Sequence, residues 1–199
     1  MADIEALKPS NTGWLVADVV SDTFAFSWAR TEVPQALLAL LADPQWQPYV
    51  VFPGEYAAHE RVVTSLQTLH PTAHTAPAGS NTVTACMRRP LFVLLDGTWA
   101  EARKMFRKSP SLDHLPVLSL QPEQLSRYRL RRSHRDDHLC TAEVAALCLH
   151  LAGDHPAAQT LEAYLDVFTH HYLHAKNQWP VDLQSDAHQR LMQTLQAHL

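Results

Sequence analysis

The chain has 199 residues, a formal net charge of −4 and 46% hydrophobic residues. That balance supports a core and excludes global disorder, collagen and a disulfide-stapled mini-protein. At ~150 residues per domain it reads as one domain, with no apolar run near the ~18 residues of a membrane span, no signal-peptide pattern in MADIEALKPSNTG, and five glycines too dispersed for a G-x-G-x-x-G or Walker A loop.

In chain order, Ser10 or Asn11 caps a first helix whose apolar stripe is Leu15, Val16, Val19 and Val20. Residues 22–28 (DTFAFSW) put Phe24, Phe26 and Trp28 on one face, the alternation of a strand. Val33 to Ala42 reads as a helix with Pro34 in its first turn and Leu37, Leu38 and Leu41 inward. Tyr49 to Phe52 is a short buried strand closed by Pro53-Gly54. Residues 62–87 are rich in Thr, Ala and Pro and read mostly as a mobile surface loop. Leu91 to Leu95 (LFVLL) is the strongest strand signal, continuous and apolar as in a central parallel strand covered on both faces. A helix follows over residues 100–108, with Ala102, Met105 and Phe106 inward and Arg103, Lys104, Arg107 and Lys108 outward. Leu115 to Leu120 is a further strand. Thr141 caps a helix that runs to Leu151, and helices near 157–173 and 185–198 close the chain. Strands alternating with helices indicate an α/β fold with a mainly parallel sheet flanked by helices.

Charge is unevenly spread. Residues 88–135 hold 11 of the 16 basic residues but only four acids, and nine of the eleven are arginine. A basic island in an acidic chain points to a polyanion on one face, and arginine suits phosphate forks and base stacking. The three cysteines, Cys86, Cys140 and Cys148, form no C-x-x-C pair and read as reduced thiols of a cytoplasmic protein. His170 with His174, and His134 with His138, stand four residues apart, but neither pair has further ligands beside it, so no metal is expected.

Ligands of open parallel sheets bind beyond the carboxyl ends of the strands. Three segments qualify: Phe52-Pro53-Gly54, Asp96-Gly97-Thr98-Trp99 and the stretch after Leu120. Asp96, directly after five apolar residues, is either a helix cap or a functional acid. Thr98 brings a hydroxyl that can orient it, and Trp99 brings either a rigid ligand surface or core packing.

Asp96-Gly97-Thr98-Trp99 resembles the D-x-T-W signature of the DTW-domain family. Lys8-Pro9-Ser10-Asn11-Thr12-Gly13 is similar to that family's P-S/T-N-T-G motif, Val51-Phe52-Pro53 to its FP loop, Leu95 to Pro110 to its longest block, and Cys140 to Ala145 to its S/C-T-x-E-A helix start. The matches stand in family order over residues 8–152. The resemblance implies a SPOUT-like fold over residues 1–199 with a trefoil knot on its C-terminal side. It implies a tRNA-uridine aminocarboxypropyltransferase, which moves the 3-amino-3-carboxypropyl group of S-adenosylmethionine to N3 of a tRNA uridine, position 47 in bacterial members, and releases methylthioadenosine. Many members begin with a four-cysteine zinc-binding segment. This chain starts just before P-S-N-T-G without it, and the strand expected before Lys8 is shortened or lost.

On that resemblance, Asp96, Thr98 and Trp99 are the catalytic group. Asp96 either takes the N3 proton or holds the substrate's amino group by charge. Phe52, Pro53, Leu95, Leu120, Tyr128 and Leu139 are expected to surround adenosine. Ser10, Thr12 and Thr98 are expected to position the aminocarboxypropyl chain, with Thr141 beside it, and Glu143 either caps a loop or meets the cofactor's amino group. Arg103, Lys104, Arg107, Lys108, Arg131 and Arg132 form the expected tRNA face, and the target uridine turns out of its stack toward Trp99 or Trp28. The rival readings are a SPOUT-type RNA methyltransferase and a non-catalytic RNA-binding protein.

Overall fold

The computed structural model describes residue 1 and residues 7–66, 88–121 and 139–197. Within them a parallel four-stranded sheet is assembled from β1 (Trp46–Val51), β2 (Val62–Val63), β3 (Arg89–Leu94) and β4 (Val117–Leu118), in the spatial order β2-β4-β1-β3. The helices are α1 (Gly13–Val19), α2 (Gln35–Ala42), α3 (Trp99–Arg107), α4 (Thr141–Leu151), α5 (His155–Asn177) and α6 (Asp186–Ala197).

β1 is the axis of the sheet, and its alternation assigns the two faces. Val50 joins Phe52, Val117, Met105 and Phe106 in a core between the sheet and α3. Tyr49 and Val51 point the other way, onto Leu118 and Cys148. A third core, Leu15, Ala142, Ala145, Ala146, Leu161 and Leu165, sits where α1, α4 and α5 meet. Three alanines on one face of α4 let these helices approach closely.

Helix α3 forms because its ends and its stripe agree. Thr98 and Glu101 make a reciprocal capping box at its start, with the Thr98 amide donating to Glu101 Oε2 at 2.7 Å. Ala102, Met105 and Phe106 are buried at helical spacing, and Ser109-Pro110 ends the helix in a 3-10 turn. Helix α4 ends at Gly153, whose φ of 83° is the left-handed turn that glycine adopts without strain.

The parallel α/β architecture agrees with the sequence reading, and several details differ. The LFVLL segment is not central: β3 is an edge strand of the described sheet and only half-buried, while β1 takes the middle. A run of apolar residues reports burial, and here α3 and α4 cover β3 without a second strand beside it. Residues 22–28 form no strand. Phe26 and Trp28 instead bond the backbone of Met1, at 2.7 and 2.8 Å, and Phe24 is exposed. In α2, which starts at Gln35 with Pro34 as its cap, Leu37, Leu40 and Leu41 turn inward and Leu38 faces solvent. The strand expected over 115–120 shrinks to Val117–Leu118, because Leu115 closes a turn onto Leu112. Val62–Val63 pair with β4, so the segment read as a loop from 62 begins with a strand, and residues 67–87 lie outside the described residues. Thr12 stands at the cap of α1 without a side-chain cap bond, and Cys140, not Thr141, caps α4. Among the described residues no helix is long and apolar enough to cross a membrane.

Candidate functional site

Asp96 leaves the end of β3 and is 5% exposed. Asn11 Nδ2 donates to its Oδ2 at 2.9 Å, and Thr141 Oγ1 donates to its Oδ1 at 2.6 Å. The Gly13 amide donates to Asn11 Oδ1 at 2.6 Å, which sets the Asn11 amide so that its NH2 meets the carboxylate. Thr12, fully buried, accepts from the Ala142 amide at 3.3 Å, and Glu143 Oε2 accepts from the Cys140 amide at 2.8 Å. Two distant stretches thus hold the Asp96 carboxylate, through Asn11 and Thr141, while Thr12 and Glu143 fix the start of α4 beside it. An ionised carboxylate offers about four lone-pair sites, so both oxygens retain acceptor capacity beyond these two bonds. Asp96 lies in the wall of a cavity of about 700 Å³, together with Gly13, Thr141, Trp28 and Lys108.

The second part of the site is aromatic. Phe52, at the end of β1, is sandwiched between Trp99 (5.3 Å, 9°) and Phe106 (4.5 Å, 12°). Tyr56 meets Phe52 and Trp99 edge-on, at 5.6 and 5.5 Å. Trp99 is therefore half-buried in a stack and does not line the cavity, whereas Trp28 does, its indole donating to Ser109 Oγ at 2.9 Å. Cations lie over these rings: Arg103 over Tyr56 at 5.3 Å and Lys104 over Trp28 at 5.6 Å.

The sequence-derived residues divide accordingly. The structure brings together Asp96, Thr12, Thr141 and Glu143 in one node, and Phe52 with Trp99 in the stack. Thr98 is exposed and engaged with Glu101, with 2.5 Å between Thr98 Oγ1 and Glu101 Oε2, so it serves α3 as a cap and does not touch Asp96. Thr12 and Glu143 are likewise occupied by the start of α4. Ser10 is half-buried in the turn before α1, Pro53 is exposed, and Leu95, Leu120 and Leu139 are half-buried near the strand ends. Lys104, Arg107 and Lys108 are exposed and Arg103 is half-buried, and among the described residues none of the four pairs with a carboxylate. Tyr128, Arg131 and Arg132 lie outside the described residues. Sequence reasoning missed Asn11, Gly13 and Tyr56 as site residues. The N-T-G tripeptide was the available signal for the first two, and nothing local marked Tyr56.

Burial pushes the Cys140 thiol up to about 12, with the Glu143 carboxylate adding to it, and burial alone pushes Cys148 up to about 12. Both are neutral thiols at physiological pH and not nucleophiles. Iodoacetamide at pH 8 is therefore expected to leave the Cys140 and Cys148 peptides unlabelled until denaturant is added. Native-state labelling of either, read by mass spectrometry, contradicts this. The His170 and His174 rings meet at a 33° tilt with centroids 3.9 Å apart, and His134 and His138 lie outside the described residues. Among the described residues no group of three or more His, Cys, Asp or Glu is arranged to hold a metal ion.

A family model described as the DTW domain matches residues 1–173. A protein of Drosophila melanogaster named tRNA-uridine aminocarboxypropyltransferase 2 is 36% identical over 64 residues, which is 32% of this chain and 26% of that relative. The matched stretch thus spans about a quarter of the relative's length. No solved structure matches the chain.

Proposed function

The chain belongs to the DTW domain family, and from that premise we propose that it is a tRNA-uridine aminocarboxypropyltransferase, transferring the 3-amino-3-carboxypropyl group of S-adenosylmethionine to N3 of a tRNA uridine, with position 47 the expected target. The observation that carries the reading is Asp96, a residue of the cavity wall at a strand end, its buried carboxylate oriented by Asn11 and Thr141. On this reading residues 1–199 form one DTW domain of SPOUT-like topology with a trefoil knot, acting in the cytoplasm.

The residues present fit the donor. Its amino group needs an anion with a spare acceptor site, which Asp96 offers, and its adenine needs apolar surface beside free backbone groups. Leu95 supplies such surface in the cavity that Asp96 lines, whereas Leu120, Leu139 and Pro53 do not line it and Phe52 is buried between Trp99 and Phe106. The sulfonium makes the adjoining carbon electrophilic, and geometry selects which of its three carbons faces the nucleophile. Uridine N3 forms the new bond to carbon, the carbon–sulfur bond breaks, and methylthioadenosine leaves. The N3 proton passes to Asp96, or leaves to water while Asp96 holds the amino group. Asn11 and Thr141 keep the carboxylate aimed in either case. Thr12, Glu143 and Thr98 act at one remove, by fixing the starts of α4 and α3. The outward cations of α3, with Arg131 and Arg132, attract the tRNA backbone.

The test is nucleoside analysis by mass spectrometry after incubating the protein with tRNA and S-adenosylmethionine. One uridine is expected to gain an aminocarboxypropyl group, with an equal yield of methylthioadenosine. A methylated nucleoside with S-adenosylhomocysteine instead makes the protein a methyltransferase, and no modified nucleoside at all leaves an RNA-binding protein.

A further inference from the structure

We propose that Tyr56 and Arg103 form a preset grip for the backbone phosphate next to the target nucleotide, an inference that rests on the RNA-modifying reading of the site. The guanidinium of Arg103 lies over the Tyr56 ring at 5.3 Å, and Tyr56 is held edge-on by Trp99 and Phe52. Arg103 Nε is shut off from solvent and has no hydrogen-bond partner among the described residues. A buried donor left without an acceptor is uncommon and calls for an explanation.

Arg61 provides the contrast. It too lies over an aromatic ring, that of Phe106 at 5.9 Å, but it has used its donors: Nε on the Leu115 carbonyl at 3.0 Å and a terminal nitrogen on the Leu112 carbonyl at 2.9 Å. Arg61 is a strut for the 3-10 turn before β4. Arg103 holds a similar pose with nothing to brace. With Nε enclosed, it is the terminal N–H groups of the stacked guanidinium that meet an anion, and stacking lowers the side-chain freedom lost when that anion arrives.

Position identifies the anion. Arg103 is one helical turn beyond Trp99, and its neighbours Lys104 and Arg107 on α3, with Lys108 just after it, are exposed and pair with no carboxylate among the described residues. Those three suit general attraction to the RNA backbone. Arg103 is the half-buried cation of the group, and its partner is an RNA phosphodiester brought to a fixed place when the target base turns out.

The experiment measures tRNA binding across a salt series, donor binding by calorimetry, and KM and kcat, using the full chain. For Arg103→Gln we expect the slope of log affinity against log salt to fall by about 0.7–0.9, the value of one lost phosphate contact. The KM for tRNA should rise about tenfold while S-adenosylmethionine affinity stays within twofold. Tyr56→Leu should raise the same KM about threefold or more, and Tyr56→Phe, which keeps the ring, should rescue it. An unchanged salt slope in Arg103→Gln overturns the grip, as does a loss confined to donor affinity, which would place the donor's carboxylate there. If wild type makes no aminocarboxypropyl nucleoside, the enzymatic reading fails by itself. A salt slope that depends on Arg103 would still identify the phosphate contact.

Discussion

Replacing Asp96 with asparagine is expected to lower kcat by roughly 10²- to 10⁴-fold, the range over which a positioned acid–base group contributes. The substitution keeps the volume but removes the charge and turns one acceptor into a donor. Both carboxylate oxygens accept hydrogen bonds, from Asn11 Nδ2 and Thr141 Oγ1. Asparagine offers one oxygen, which can keep the Asn11 bond while its NH2 turns to the Thr141 hydroxyl, a group that can accept as well as donate. The expected structural cost is ~1 kcal/mol, the difference between hydrogen bonds to a charged and to a neutral group. Turnover and melting temperature therefore need to be measured together. Thr141→Val serves as the comparison: it removes one donor to Asp96 while keeping the carboxylate, so it should cost similar stability and far less turnover. The two roles of Asp96 separate in steady-state kinetics. Loss of a base appears in kcat with the donor's KM little changed, and loss of an anchor appears mainly in that KM. Wild-type turnover in Asp96→Asn removes Asp96 from both.

Gly13→Ala should be the most damaging single-methyl change in the protein. A Cβ at Gly13 would stand 2.9 Å from Asp96 Oδ2, 3.0 Å from Asn11 Oδ1 and 3.1 Å from Asp96 Cγ. None of these atoms can retreat freely. Asn11 Oδ1 is tied to the Gly13 amide itself, and the carboxylate is tied from its far side by Thr141. Overpacking of this kind costs ~1–3 kcal/mol, and relief requires the carboxylate to leave its place. The expected result is a melting temperature lower by several degrees and turnover reduced at least tenfold. Gly97→Ala, on the loop between β3 and α3 that carries Asp96, is the control. Its Cβ would meet Glu101 Cβ at 3.1 Å and the flexible tip of Met105 at 3.2 Å, not the carboxylate. Equal activity loss in the two variants would mean that close packing in general, and not the aim of Asp96, is what the site requires.

Much of the fold was legible because it is written locally. The start of α3 is a capping box, its inward stripe is Ala102, Met105 and Phe106, and its end is a proline. Each signal acts within a turn or two, so a linear reading recovers it. Residues 22–28 misled for the same reason. Phe24, Phe26 and Trp28 alternate as a strand would, but a strand also needs a neighbour to bond, and among the described residues the only backbone bonds of Phe26 and Trp28 go to Met1. LFVLL was read as central because continuous apolar character reports covered faces, and helices cover a face as well as a sheet does.

The candidate site was half legible. The D-x-T-W motif placed Asp96 at a strand end, and the periodicity of residues 100–108 put Lys104, Arg107 and Lys108 at the exposed surface. Sequence alone established an α/β chain with a parallel sheet, an acid at the tip of an apolar strand, and cations on the outer face of the following helix, since periodicity, caps and composition are properties of neighbouring residues. Tertiary structure alone decided that Asn11 and Thr141, 130 residues apart, hold the same carboxylate, that Trp99 is packed in a stack while Trp28 lines the cavity, and that Arg103 rests on Tyr56. Those pairings come from how parallel strands and helices stack, and contacts between residues so far apart in the chain leave no periodic trace in it.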